Sequence, residues 1–146
     1  MSKNIPQRLF DIAYNQLHHF PLEKMIVTKK GQSWETISTQ AFIQEVEALA
    51  FGLLSLGIKP GDRVAAYLPN IPEAVTALLA TASIGAIWSS CSPDFGTPSV
   101  LDRLSQISPK VLFCCDGYQY KGKPFNRKQE VEAIIKALPS LDKVIY

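Results

Sequence analysis

The chain has 146 residues, 47% of them hydrophobic and 19% charged, with 15 Lys and Arg against 13 Asp and Glu. That length is one ordinary domain with enough apolar residues to bury a core, and the composition excludes a disordered chain. The net charge of +2 excludes a general polyanion-binding surface, so no nucleic acid or anionic membrane is expected as a partner and electrostatic recognition has to be local.

The longest apolar run, from Ala74 to Trp88, is broken by Thr76, Thr81, Ser83 and Gly85. It is too short and mixed for a membrane span. No long apolar segment follows Lys3, so a secretory signal is not expected and cytoplasmic residence is. Cys91, Cys114 and Cys115 form no CxxC pair and no His lies at ligand spacing, which fits reduced thiols and no metal.

In chain order, Leu9, Phe10, Ala13, Tyr14 and Leu17 recur at helical spacing and predict an N-terminal amphipathic helix ending at His18-His19-Phe20-Pro21. Adjacent histidines on a helix diverge too far to chelate one ion. Met25 to Thr28 and Ser33 to Thr36 read as a short hairpin around Lys29-Lys30-Gly31-Gln32. A long helix is expected from near Ser38, with Phe42, Val46, Leu49, Ala50, Leu53 and Leu54 on one face and Gly57 closing it.

Beyond the Lys59-Pro60-Gly61-Asp62 turn, Arg63 to Leu68 reads as a buried strand. Asn70 as cap, Pro72 in the first turn and Glu73 as in a capping box predict the next helix, to Ile84. It is apolar nearly all round, so it is expected to be covered on more than one side. Gly85 to Gly96 follows as a strand running into a small-residue loop. Thr97 as cap and Pro98 at the first helical position then start a helix with Val100, Leu101, Leu104 and Ile107 inward, closed by Pro109.

Val111 to Cys115 is a strand, Tyr118 to Lys123 a short extended excursion, Arg127 to Leu138 a helix, and Lys143 to Tyr146 a final strand. Alternating strands and helices with short connections predict a mostly parallel, doubly wound α/β sheet preceded by the N-terminal helix and hairpin. Residues 1–60 hold the opening helix, hairpin and long helix, and residues 61–146 the start of the sheet. A chain that stops in a strand without a closing helix is expected to be part of a longer protein.

In such sheets, loops at the carboxyl ends of strands bind ligands. The loop in Gly85 to Gly96 is the candidate, but Ser89-Ser90-Cys91-Ser92 has no His downstream to act as base, so no nucleophile is assigned. Nor is there a Walker, Rossmann, zincin or nucleophile-elbow motif. The basic residues Lys121, Lys123, Arg127 and Lys128 interleave with Tyr118, Tyr120 and Phe125. They read either as a solvated face or as a patch for a phosphorylated ligand with a flat heterocycle.

The succession Gly61-Asp62-Arg63-Val64, Pro69-Asn70-Ile71-Pro72-Glu73-Ala74 and Gly85-Ala86-Ile87 resembles the early part of the acyl-CoA synthetase and adenylate-forming ligase superfamily. Within it, Trp88 to Gly96 followed by Val100-Leu101-Asp102-Arg103 is similar to acetoacetyl-CoA synthetases. The resemblance implies an enzyme that activates acetoacetate with ATP and Mg as an acyl-adenylate and transfers the acyl group to CoA. It implies that the ATP loop and a catalytic lysine lie in the remainder of a longer chain, so that this part alone is inactive, carries no catalytic residue and holds no cofactor completely. It also implies a CoA side made of Pro93, Asp94 and Phe95, with Lys123 and Tyr120 at positions of family arginines and Lys121 beside them. Another short-chain acyl-CoA ligase and a stand-alone, non-enzymatic α/β binding module are the competing readings. The isolated part is expected to expose apolar surface and self-associate.

Overall fold

The computed structural model describes residues 26–30 and 33–146, so the expected N-terminal helix, the two histidines and the tip of the first hairpin lie outside the described residues. The chain forms two compact units, one of residues 1–61 and 71–86 and the other of residues 62–70 and 87–146.

The first unit contains the antiparallel hairpin β1 (Ile26–Lys30) and β2 (Ser33–Ile37) and two helices, α1 (Thr39–Ser55) and α2 (Pro72–Ser83). Ser38 caps α1: its Oγ accepts from the Ala41 N–H at 3.2 Å. At the other end Gly57 takes φ +84°, and the N–H groups of Gly57 and Ile58 reach back to the carbonyls of Leu54 and Leu53. This is a Schellman closure, and buried Ile58 packs its side chain where that motif places an apolar residue. Gly85 ends α2 in the same way.

Phe42, Val46 and Leu53 of α1 are buried as expected, but Leu54 is exposed because it lies a further step round the helix. The cap of α2 is Ile71, not Asn70, and has an extended backbone with φ −124° and ψ 156°. The ring of Pro72 excludes the helical conformation for the residue before it, which fixes the boundary there. Val75 and Leu78 of α2 remain exposed in this chain.

The second unit holds a four-stranded parallel sheet in the order β4 (Ile87–Cys91), β3 (Arg63–Tyr67), β5 (Val111–Cys114), β8 (Lys143–Ile145). From β3 the chain steps to one side and then crosses back to the other, the reversal of a doubly wound sheet. Val64 to Tyr67 and Val111 to Cys114 are buried throughout, which is why these central strands read as continuous apolar runs. Two helices, α3 (Thr97–Ile107) and α4 (Lys128–Ala137), bring Val100, Leu104, Val131 and Ile134 onto Ala65, Tyr67, Leu112 and Cys114 in one core.

Helix α3 starts one residue before the expected position: the Val100 N–H bonds the Gly96 carbonyl, making Gly96 the cap and Pro98 the second helical residue. At its far end Arg63 donates from Nε to the Ile107 carbonyl at 2.7 Å and from its guanidinium to Ser108 at 3.0 Å. A cation is favourable against the unpaired carbonyls of a helix C-terminus, so β3 and α3 are joined by charge as well as packing. Lys110 and Asp62 form an ion pair at 2.9 Å beside it.

The excursion after β5 is a second hairpin, β6 (Gly117–Tyr120) and β7 (Lys123–Asn126), turned by Lys121 and Gly122 at φ 49° and 75°. Two successive left-handed residues are the signature of a type I′ turn. Its base is tight, since a Cβ on Gly117 would lie 2.7 Å from the Phe125 carbonyl oxygen. Gly117→Ala is therefore expected to lower stability of the full-length protein by about 1–3 kcal/mol, read as a shifted denaturant midpoint at unchanged slope.

Candidate functional site

The segment Ser92 to Gly96 continues from the end of β4 and meets the end of β3. Tyr67 closes β3, and its side chain lies in the core with the hydroxyl directed at the loop. The hydroxyl lies 3.1 Å from the Pro93 carbonyl and 3.1 Å from the Phe95 carbonyl, and its single proton is shared between them. Burial, first of all, raises the Tyr67 pKa above the ordinary 10.0, with the neighbouring Arg127 pulling the other way.

Arg127, at the N-cap of α4, makes the second attachment. Its Nε donates to the Pro93 carbonyl at 2.8 Å and its guanidinium pairs with Glu130 at 3.1 Å. The same guanidinium lies 5.7 Å from the Tyr118 ring centroid and 5.8 Å from that of Phe125. Those two rings stack at 5.2 Å. Arg127 thus joins the loop, the second hairpin and α4, and the expected basic patch loses one member to this structural task.

The outer side of the loop is held by Asp94. Its carboxylate accepts from the Ser92 hydroxyl at 3.2 Å and from the Tyr118 hydroxyl. The bond to Asp94 is the main cause of a raised Tyr118 pKa. Phe95 stands 42% exposed, with the Arg103 guanidinium 4.8 Å from its ring centroid. The loop backbone therefore faces inward to Tyr67 and Arg127, while Asp94 and Phe95 face outward.

The structure brings together Pro93, Asp94 and Phe95. It places Tyr120, Lys121 and Lys123 at the exposed tip of the β6–β7 hairpin, whose base meets the loop through Tyr118. Partners across an antiparallel pair share a face, so Tyr118 with Phe125 and Tyr120 with Lys123 occupy one face of the hairpin. Tyr120 lies about 7 Å beyond Tyr118 along the strand. The Lys121 ammonium sits 5.3 Å over the Tyr120 ring. A shallow groove of about 390 Å³ lies along the hairpin, lined by Asp116, Gly117, Tyr118, Gln119, Pro124, Phe125 and Asn126.

Sequence reasoning missed Tyr67 and Arg103 as parts of this site, and it read Tyr118 and Arg127 as members of a surface patch rather than as attachments of the loop. One signal was present: a tyrosine ending an otherwise apolar buried strand needs a partner for its hydroxyl.

Cys91 and Cys114 are buried in the core, and burial, followed by neighbouring Cys115 and Asp116, pushes the Cys114 thiol up to about 11. Among the described residues no three His, Cys, Asp or Glu side chains gather as a metal site. No described helix is long and apolar enough to cross a membrane.

A family model described as "AMP-binding enzyme" matches residues 14–146. The chain belongs to this AMP-binding enzyme family. It is 51% identical over 136 residues to the acetoacetyl-CoA synthetase of Macaca fascicularis, covering 91% of this chain and 20% of the relative. To the acetoacetyl-coenzyme A synthetase of Rhizobium meliloti it is 55% identical over 93 residues, 64% of this chain and 14% of that one. The solved acetoacetyl-CoA synthetase from Streptomyces lividans superposes with a TM-score of 0.88 at 43% identity, covering 92% of this chain and 21% of its own. The chain thus spans about a fifth of the length of the Macaca fascicularis relative.

Tyr67→Phe is expected to cost the full-length protein about 1–3 kcal/mol, because the Phe95 carbonyl loses its buried donor while the Pro93 carbonyl keeps only Arg127. Since the folded Tyr67 titrates above its unfolded value of 10.0, its contribution is complete below that pH and is lost as pH rises through the folded value. Denaturation curves of wild type and variant should therefore converge in alkali.

Proposed function

We propose that this chain is the part of an ATP-dependent acetoacetate–CoA ligase that forms one side of its CoA site. The acetoacetate carboxylate attacks the α-phosphorus of ATP and releases pyrophosphate. The CoA sulfur then attacks the acyl carbon of the adenylate, expelling AMP while the thiol proton goes to solvent. The assignment is supported chiefly by similarity to acetoacetyl-CoA synthetases that extends over about nine-tenths of this chain.

The local chemistry agrees with a CoA side rather than with a reacting centre. Loop 92–96 lies at the carboxyl end of a parallel strand, where α/β sheets take their ligands. It offers an exposed ring, Phe95, and the nearby hairpin offers Tyr120 with the ammonium groups of Lys121 and Lys123. Rings and ammonium groups suit a ligand that carries both a flat heterocycle and phosphates. Activation of acetoacetate with ATP and Mg is assigned to the remainder of a longer chain.

With the full-length protein, ATP and CoA, acetoacetate is expected to give AMP and thioester with a kcat/KM at least about tenfold above that for acetate, propionate or butyrate. Turnover with those acids but not acetoacetate would sink the substrate assignment. Removal of both tip ammonium groups in Lys121→Ala/Lys123→Ala is expected to raise the KM for CoA about three- to tenfold at low salt, with the KM for ATP unchanged. The difference should shrink as salt screens the wild-type attraction.

A further inference from the structure

The inner side of loop 92–96 is fastened through backbone carbonyls, which any sequence could supply. The outer side depends on a specific side-chain pair. Asp94 lies between the two carbonyl attachments, and its carboxylate turns away from the core toward the base of the β6–β7 hairpin. Tyr118 meets it there from a constrained position: its ring stacks on Phe125 at 5.2 Å and lies 5.7 Å from the Arg127 guanidinium. Arg127 itself holds the Pro93 carbonyl. The phenol therefore approaches the loop with little freedom, and its proton goes to the loop's only carboxylate.

We propose that Tyr118 is a positioning residue for CoA: its hydrogen bond to Asp94 ties the loop to the hairpin, so that Phe95 and the cations at the hairpin tip are presented to the ligand as one preformed surface. This rests on the CoA-side reading above. The pair has a second effect. An exposed carboxylate among cations meant for phosphates would compete with them, and the Ser92 and Tyr118 hydroxyls hold Asp94 at the base of the hairpin rather than at its cationic tip. Preforming the surface removes an ordering cost that CoA would otherwise meet on binding.

The two half-reactions of the full-length enzyme separate this role from a merely structural one. Acetoacetate-dependent exchange of pyrophosphate into ATP needs no CoA, whereas thioester formation does. Tyr118→Phe and Asp94→Ala are each expected to raise the KM for CoA about three- to tenfold while pyrophosphate exchange stays at the wild-type rate. The double variant should be no worse than the worse single one, as for two halves of one interaction. Asp94→Asn keeps an acceptor for the phenol and should keep the KM for CoA at or below that of the wild type.

Parallel loss of exchange and thioester formation, additive effects in the double variant, or an unchanged KM for CoA in Tyr118→Phe would each overturn the proposal. A wild type that exchanges pyrophosphate with acetate instead of acetoacetate would overturn only the substrate reading, because the CoA comparison can be run with either acid. A wild type that forms adenylate but no thioester would overturn both.

Discussion

The hydroxyl of Tyr67 is the polar group on which the arrangement of the site depends. A phenol buried at the end of a central strand has to find an acceptor, and here it finds the two carbonyls that bracket Asp94. Once those carbonyls face inward, Asp94 and Phe95 face outward, while the ring of Pro93 is itself buried. The path of the loop is thus dictated from inside the sheet, by a residue that no ligand is proposed to touch. Because β3 is paired on both sides along its length, the anchor is attached to the stiffest part of the unit.

Arg127 extends this order to the periphery. A guanidinium that is only 21% exposed carries a desolvation penalty, which is offset here by a carboxylate, a carbonyl and two aromatic faces. Those partners belong to α4, to loop 92–96 and to the β6–β7 hairpin, so one side chain holds three separate segments of chain. The division of labour among the cations follows from burial. Arg127 is engaged and structural, while Lys121 and Lys123 stand exposed at the hairpin tip, where charge is available for recognition.

Membership of the AMP-binding enzyme family and a span of about a fifth of the Macaca fascicularis relative agree with what the residues can and cannot do. The second unit holds a loop fixed from inside by Tyr67 and Arg127 at the carboxyl end of a parallel strand. The cysteines illustrate the difference between presence and reactivity: Cys91 next to a serine-rich stretch suggests chemistry on paper, but in the fold it is a small core side chain. Exposed Val75 and Leu78 on α2 and Phe51 and Leu54 on α1 leave apolar surface on the first unit, as the nearly all-round apolar pattern of α2 implied.

Much of the fold was legible because its signals are local. Ser38 and the glycines at 57 and 85 mark helix ends by their own backbone and side-chain chemistry, and the apolar runs at 63–68 and 111–115 mark strands buried on both faces. The cap of α2 was misplaced by one residue, since Asn70 is the better capping side chain but Pro72 imposes an extended backbone on Ile71. Only part of the site was legible. Pro93, Asp94 and Phe95 stand together in the chain and in space, and Lys121 and Lys123 could be read as cations near aromatic residues. That Tyr67, Tyr118 and Arg127 converge on the same loop was not, because they come from three elements whose separation in sequence says nothing about contact. By itself the sequence determined the order of strands and helices and the family, both of which are written in neighbouring residues. Which tyrosine anchors the loop, which arginine is engaged and which carboxylate turns toward the hairpin were decided only when parallel pairing of β3, β4 and β5 brought their carboxyl ends side by side.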